Sequence, residues 1–443
     1  MTGAAGRGAV ASGAAAMAPL TPDEADRLFA PFAGFSALGL AVSGGADSSA
    51  LFHLAADWAA RRPDHPRLVV LTVDHRLRPG AAAECAAVVR MAAERRIAAE
   101  ILVRPPDLRS GPLLGDIQAA ARRARYDLLV AAAHRHGLGA VLLAHHLDDQ
   151  AETLLLRLAR GSGLRGLSGM RPVRLVGGVA FHRPLLGVPA ARLRATLIAR
   201  GLRWIEDPSN ADPRFARSRL RALMPELAAA GLQPERLADT AARLARASSL
   251  VDAVAGDLRA AAVTDHGGYL SVDRARLAAA HPEAALRVVA DAVRDLRRAD
   301  YGPRLAPLED WHARFLAGAP PTRLTLGGVV IDAARRERLW LYPEAGRGGF
   351  EVLDDPPDGT ILWDGRLRLE LVREAKAGTL QLAALGAAGR RDLARLGHRL
   401  PGPARASESV PALKRPDDGA LLAVPAAGFC VAGVRLCSRP VSA

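Results

Sequence analysis

The stretch Leu38-Gly39-Leu40-Ala41-Val42-Ser43-Gly44-Gly45-Ala46-Asp47-Ser48-Ser49 decides how the chain is read. Its apolar half, Leu38–Val42, is a short run of the kind buried inside a sheet, and its polar half opens a segment of helical spacing, Ser48–Ala60. Between them Gly44 and Gly45 permit a tight turn whose successive amide hydrogens face one concavity at a helix N-terminus. Such a concavity binds phosphate through unpaired donors and the helix dipole. Ser43 and Ser48 add hydroxyls around Ala46, and the carboxylate of Asp47 can hold a magnesium ion that bridges phosphates. No Walker lysine follows, so this is not the usual P-loop. A plain Gly-Gly turn with a serine cap is the bland alternative. The buried strand before the turn and the Asp-Ser pair after it weigh against that reading.

Working outward, Leu68–Val73, Ala98–Val103 and Ala140–Ala144 are further short apolar runs, separated by helical segments at Ala81–Arg96 and Asp116–Arg135. Strand alternating with helix predicts an α/β fold with a parallel sheet and right-handed crossovers. Ligands of such sheets bind at the carboxyl ends of the strands. A second polar cluster falls at such an end: His145-His146-Leu147-Asp148-Asp149-Gln150-Ala151-Glu152-Thr153. With a helix starting near Asp148, Asp149 and Glu152 share a face. Two carboxylates and the imidazole of His145 can grip an ammonium group, hold a metal or move a proton. Acidic residues also suit a first helical turn as caps, which is the preferred reading for Asp148. Gly161-Ser162-Gly163-Leu164-Arg165-Gly166 spells a dinucleotide fingerprint but follows a helix rather than a strand, so it is rejected as one.

Beyond the sheet, the segment after Gly161 is rich in Gly and Pro, and Gln233–Leu296 carries an Ala-, Leu- and Arg-rich helical period broken at Gly267–Val272. Thr322–Tyr342 favours strands. The expected organisation is a flexible N-terminal extension and first helix over 1–36, a nucleotide-binding α/β domain over 37–220, a mainly helical domain over 221–345 and a small β-containing domain over 350–443. Residues 1–20 lack the Leu-rich centre of a secretory signal and read as a disordered extension, with Met17 as an alternative start. Thr21-Pro22-Asp23-Glu24 opens the first helix.

The composition narrows the class of partner. The formal charge is +14, and Lys376 and Lys414 are the only lysines, so nearly all the positive charge is guanidinium. Basic excess attracts polyanions, and arginine forks suit phosphate, although a codon bias towards Arg explains the same count. Aromatics make up only 4%, which argues against extensive base-stacking platforms. Cys85, Cys430 and Cys437 form no CxxC pair and no disulfide framework, which fits the cytoplasm. No apolar run reaches the length of a membrane span.

The SGGxDS loop resembles that of the PP-loop ATP pyrophosphatases, the adenine nucleotide alpha hydrolase-like enzymes that release pyrophosphate and form an adenylate. HHLDDQAET, Arg160–Leu167, Arg183-Pro184-Leu185-Leu186 and Asp207-Pro208-Ser209-Asn210 follow in order. With the arginine-bearing Ala121–Tyr126 before them, they are similar to the tRNA(Ile)-lysidine synthases. These motifs cover about 38–225, with weaker likeness in Arg323–Leu341 and the C-terminal third. One departure is Arg217-Ser218, where the family usually has Arg-Asn.

The resemblance implies an ATP-dependent ligase that joins L-lysine to carbon-2 of the wobble cytidine of tRNA(Ile) with anticodon CAU. An adenylated cytidine is the intermediate. It assigns Ser43, Gly44, Gly45, Ala46, Asp47 and Ser48 to ATP, with Asp47 on magnesium. Asp149 and Glu152 would bind lysine, while Arg125, His145 and Arg217 would stabilise charge on the reacting phosphate or base. The 221–345 and 350–443 regions would hold tRNA. The oligomeric state stays open, a homodimer included. Two alternatives remain: another PP-loop tRNA-modifying enzyme such as a thiolase or a NAD synthetase, and a non-catalytic basic RNA-binding protein.

Overall fold

Strand β1, Ala37–Ala41, is buried at every position, and its side chains alternate between two cores. Leu38 and Leu40 point into a cluster with Phe29, Phe52, Leu54, Trp58, Leu193 and Leu197. Ala37 and Ala41 face Tyr126, Leu129 and Phe181 on the other side. A strand covered on both faces belongs to a parallel sheet sandwiched by helices, and each fully buried leucine contributes about 1.5–3 kcal/mol. In this computed structural model the described residues are 18–76, 80–105, 114–206, 213–298, 302–318, 323–333, 337–346, 348–374 and 378–438, without the side chains of 114–120. The first-helix opening is as expected: Thr21 and Glu24 form a reciprocal capping box on α1, Pro22–Phe29. Residues 1–17, the Asp207–Asn210 motif and Lys376 lie outside the described residues.

The sheet runs β3-β2-β1-β4-β6-β5. Its strands are β1, β2 (Arg67–Asp74), β3 (Ala98–Val103), β4 (Ala140–Leu142), β5 (Val173–Val176) and β6 (Val179–His182). All neighbours pair in parallel except β5 with β6. The chain leaves β1 through α2 (Ala46–Ala60), builds outward through β2, α3 (Ala81–Glu94) and β3, then returns by α4 (Leu114–Arg135) to lay β4 against the free side of β1. The strand order therefore reverses between β1 and β4, and the carboxyl ends of those two strands open a crevice. That reversal brings the 43–48 loop and the 145–152 cluster side by side, although about a hundred residues separate them.

The β5–β6 hairpin was not anticipated. Gly177 and Gly178 both have positive φ (56° and 80°) and make its turn. Helices α5 (Leu147–Leu158), α6 (Leu164–Leu167), α7 (Ala190–Ala199) and α8 (Ala216–Ala229) follow.

The chain divides into two compact units, Met1–Arg246 and Ala247–Ala443, with α9, Pro234–Ala262, running through the division. The second unit contains more strand than the helical period suggested. Within 221–345 lies a five-stranded antiparallel sheet, ordered Val263–Asp265, Leu270–Asp273, Arg338–Pro343, Val329–Asp332, Arg323–Leu326. The Gly267 break read in the helical run is the turn between its first two strands, where φ at Gly267 is 77°. Helices Pro282–Arg297 and Leu305–Leu316 cover this sheet through Val289, Trp311 and Phe315. The C-terminal stretch forms a five-stranded and a three-stranded sheet around Trp363, Leu369, Leu371 and Leu413. No helix among the described residues is long and apolar enough to cross a membrane.

In the first unit, Glu24 of α1 pairs with Arg192 of α7 at 2.8 Å. That hydrogen bond from Arg192, helped by the backbone of Thr21, holds the Glu24 carboxyl down at about 2 from its usual 4.5. A depressed carboxyl stabilises the fold above its unfolded value and loses that contribution as acid titrates it. We expect the stability gap between the native protein and Glu24→Gln to be full above about pH 4.5. It should close as pH falls towards about 2, read by denaturant unfolding at each pH. A gap that does not change with pH would show that the pair contributes no net charge effect.

Candidate active site

The loop after β1 is shaped by its glycines and braced by its serines. Gly44 has φ of 88°, where a side chain is strained, and a Cβ there would lie 2.6 Å from Ile205 Cδ1, so a larger residue would have to displace that side chain. Ile205 N donates to Gly44 O at 2.9 Å, which ties the loop to the segment after α7. Gly45 is the N-cap of α2 and offers no side chain to its first amides. Those N–H groups are the orphan donors of a helix start, and they suit a phosphate. Ser43 is exposed, but Ser48 is buried: its Oγ accepts from Ser43 N and donates to Gly45 O, both at 3.1 Å. Ser48 thus spends its hydroxyl on loop shape as much as on any ligand. Ser49 likewise donates to Gly44 O at 3.1 Å.

Asp47, in the first turn of α2, meets the second motif through a residue that sequence reasoning passed over. His146 is buried, with Nε2 at 3.4 Å from Asp47 Oδ2 and 3.5 Å from Asp149 Oδ2, and Nδ1 at 3.5 Å from Asp148 Oδ2. Burial works against its charge, but Asp148, Asp47 and Asp149 overrule it and raise the imidazole to about 10. The His146 cation links the loop of β1 to the start of α5. Asp149 Oδ2 also accepts from His146 N at 3.2 Å. Asp148 is a cap, as expected, but of a different helix: its Oδ2 accepts from Ala190 N at the start of α7, at 2.8 Å.

Asp149 and Glu152 do share a face of α5, and both are buried. Their charges are met by two arginines spaced one turn apart on α8. Arg217 Nε reaches Glu152 Oε2 at 2.6 Å and Arg221 Nε reaches Glu152 Oε1 at 2.5 Å. Both guanidiniums also approach Asp149 Oδ1, at 3.3 and 3.5 Å. Arg221 was not singled out from the sequence.

His145 belongs to a different environment. Its Nδ1 accepts from Arg183 Nε at 3.2 Å, so its own proton sits on Nε2. Burial, then the charges of Arg183, Arg125, Arg122 and Arg217, push it well below its ordinary value and keep it neutral. Arg183 is buried and held by Arg171 O at 2.7 Å, while Arg122 and Arg174 lie over the Tyr126 ring at 5.4 and 5.1 Å. Arg125 of α4 is half-buried, and that burial makes its cation less favourable. The structure thus sorts the expected residues into an acidic group (Asp47, Asp149, Glu152) and a basic one (Arg125, His145), with Arg217 acting on both. The Gly161–Gly166 stretch is the turn after α5 and the first residues of the short helix α6. Gly161, at φ 66°, ends α5, and Arg157 Nη1 is held by Gly166 O and Gly169 O at 2.6 and 2.8 Å.

Asp47 Oδ1 is buried and accepts no hydrogen bond, an atom that suits a cation. Among the described residues no group of three or more His, Cys, Asp or Glu could hold a metal by itself. One carboxylate with phosphate oxygens is the usual set for magnesium, so the residues fit it.

Comparison with known proteins agrees with this geometry. Residues 19–227 match the PP-loop domain family. A tRNA(Ile)-lysidine synthase of Methylobacterium sp. (strain 4-46) is 47% identical over 343 residues, covering 74% of this chain and 96% of the relative. The chain belongs to the tRNA(Ile)-lysidine synthase family. A relative of the same name from Pseudomonas aeruginosa is 39% identical over 415 residues, covering 87% of this chain and 88% of its own. Among solved structures, a U34-tRNA thiolase from Methanococcus maripaludis is similar at a TM-score of 0.42 and 17% identity, over 51% of this chain and 78% of its own. That likeness is too slight to carry weight.

The loop geometry makes a direct test. Gly44→Ala should lower stability by about 1–3 kcal/mol, since a side chain there is strained at positive φ and collides with Ile205. Gly45→Ala, whose Cβ would meet nothing nearer than 3.8 Å, should cost less than about 1 kcal/mol. Denaturant unfolding of the two variants decides it, and equal losses would contradict the close packing of Gly44.

Proposed function

We propose that the chain joins L-lysine to carbon-2 of the wobble cytidine of tRNA(Ile) with anticodon CAU, using ATP and releasing AMP and pyrophosphate. The observation that carries this reading is the meeting of a phosphate-shaped loop and a pair of buried carboxylates through His146. One site is thereby suited to a polyanion and to an amine.

In the first step the carbon-2 oxygen of cytidine attacks the α-phosphate of ATP, and pyrophosphate departs. The amides at Gly45–Ser48 and the hydroxyl of Ser43 would hold the phosphates. Magnesium on Asp47 would neutralise phosphate charge. Arg125 and the neutral His145, donating from Nε2, would stabilise negative charge on the reacting phosphate or base oxygen. In the second step the lysine side-chain amine attacks carbon-2 and AMP leaves. Asp149 and Glu152 would bind the amine as its ammonium, and one of them would take its proton. The base must be turned out of its stack to reach this crevice.

Arginine-rich surfaces of the 221–345 and 350–443 regions would grip tRNA mainly through phosphate and shape, in keeping with the charge of +14. The cytoplasm is the compartment this reading requires. Thiolase chemistry on an iron–sulfur cluster is disfavoured, because Cys85, Cys430 and Cys437 form no CxxC pair.

Purified protein with ATP, lysine and a CAU-anticodon transcript should release AMP only when all three are present. AMP release indifferent to lysine or to the wobble base would overturn the assignment. Asp149→Asn should reduce lysidine formation by at least about a hundredfold, on the scale of losing a transition-state contact, while tRNA binding stays within about threefold. Unchanged turnover in that variant would remove Asp149 from the chemistry.

A further inference from the structure

Asp149 and Glu152 carry two negative charges, and the guanidiniums of Arg217 and Arg221 already balance them. Every carboxylate oxygen is engaged. Glu152 Oε2 accepts from Arg217 at 2.6 Å and Oε1 from Arg221 at 2.5 Å. Asp149 Oδ1 lies at 3.3 and 3.5 Å from the same two arginines, and Oδ2 accepts from His146 N at 3.2 Å. An ammonium arriving here would join Arg217, Arg221 and the His146 cation around Asp149 and Glu152, and it would compete with them for carboxylate oxygens that already accept. Drawing one guanidinium to another anion would relieve that competition. The two arginines differ in what they could turn to. Arg217 makes a further contact with Thr153 Oγ1 at 3.4 Å. Arg221 also feels the charge of Asp47, the acidic residue of the phosphate loop. The two side chains are about equally exposed, at 39% and 40%, so what separates them is the proximity of Arg221 to the charge of Asp47.

We infer that Arg221 is a transferable counter-charge, which holds Glu152 and Asp149 until a nucleotide phosphate takes its guanidinium, so that lysine binds after ATP. This rests on the reading of Asp149 and Glu152 as the lysine pocket. No bond is made or broken; the guanidinium exchanges a carboxylate for a phosphate, and the ammonium takes the vacated carboxylate oxygens. Arginine suits such an exchange, because its planar fork pairs equally well with either anion. The arrangement would also guard the pocket against amines in the absence of nucleotide.

Calorimetric titration of L-lysine into the full-length protein tests it, alone and with magnesium and an ATP analogue carrying a methylene bridge between the α- and β-phosphorus atoms. Lysine should bind at least about tenfold more tightly with the analogue, a difference of about 1.4 kcal/mol. In Arg221→Gln, lysine affinity without nucleotide should rise to within about threefold of its value with the analogue, because the competing cation is gone. Equal lysine affinity with and without the analogue in the native protein would overturn the exchange while leaving the lysine pocket standing. An Arg221→Gln protein that folds, by its circular dichroism, yet keeps the full nucleotide dependence would overturn the part given to Arg221. No lysine binding under any condition would overturn both the exchange and the pocket.

Discussion

Neutralising buried carboxylates is the constraint on which the site depends. Asp47, Asp148, Asp149 and Glu152 crowd the carboxyl ends of β1 and β4, and water reaches Asp149 and Glu152 very little. Like charges this close would raise one another's pKa or push the elements apart. Three cations prevent it: His146 from the turn into α5, and Arg217 and Arg221 from α8. Because these cations come from different elements, the same interactions that neutralise the cluster also fasten β1's loop to α5 and α5 to α8. The geometry of the site and its electrostatics are therefore one problem with one solution.

Adjacent residues show how sharply the environment divides. His145 and His146 are neighbours in the chain, yet burial among arginines drives one down and a ring of carboxylates drives the other up to about 10. An extended backbone sends them to opposite sides, one into the basic half of the crevice and one into the acidic half. The result is a neutral imidazole that can donate a hydrogen bond beside a charged imidazolium that organises acids, and neither role can be exchanged for the other.

This is also where the sequence stopped being legible. The strand, loop and helix around Ser43–Ser48 were readable because local chemistry dictates them: a buried run, a glycine whose φ is positive, and a helix start. The pairing of Asp149 with Glu152 was readable from helical spacing alone. His146 was not, since two adjacent histidines look alike until the turn sets their directions. The part of Arg221 was hidden differently, and Arg183 showed only as a motif residue without a role, because a chain so rich in arginine does not say which one meets which partner. Which arginine meets a carboxylate is decided by the packing of α8 on α5, a tertiary fact. The sheet in the second unit was legible in part: Arg323–Leu326, Val329–Asp332 and most of Arg338–Pro343 fall in the stretch already read as strand. Val263–Asp265 and Leu270–Asp273, three and four residues long, are too short to outweigh the helical period around them.

The charge balance carries one further consequence for catalysis. A triphosphate brings several negative charges to a crevice already holding four carboxylates, which by itself is unfavourable at any internal dielectric. Binding becomes favourable only if positive charge can be shared between the resident acids and the incoming phosphates. Magnesium held by Asp47 would supply part of that. The basic wall of Arg125, Arg183 and Arg122 around His145 would supply more, since the neighbouring arginines and burial are what push His145 down. On the proposed reading, the acidic wall would become complementary to a cation once its own arginines are engaged elsewhere. Such a site would select its two small substrates by opposite charge, the anion preparing the place of the cation.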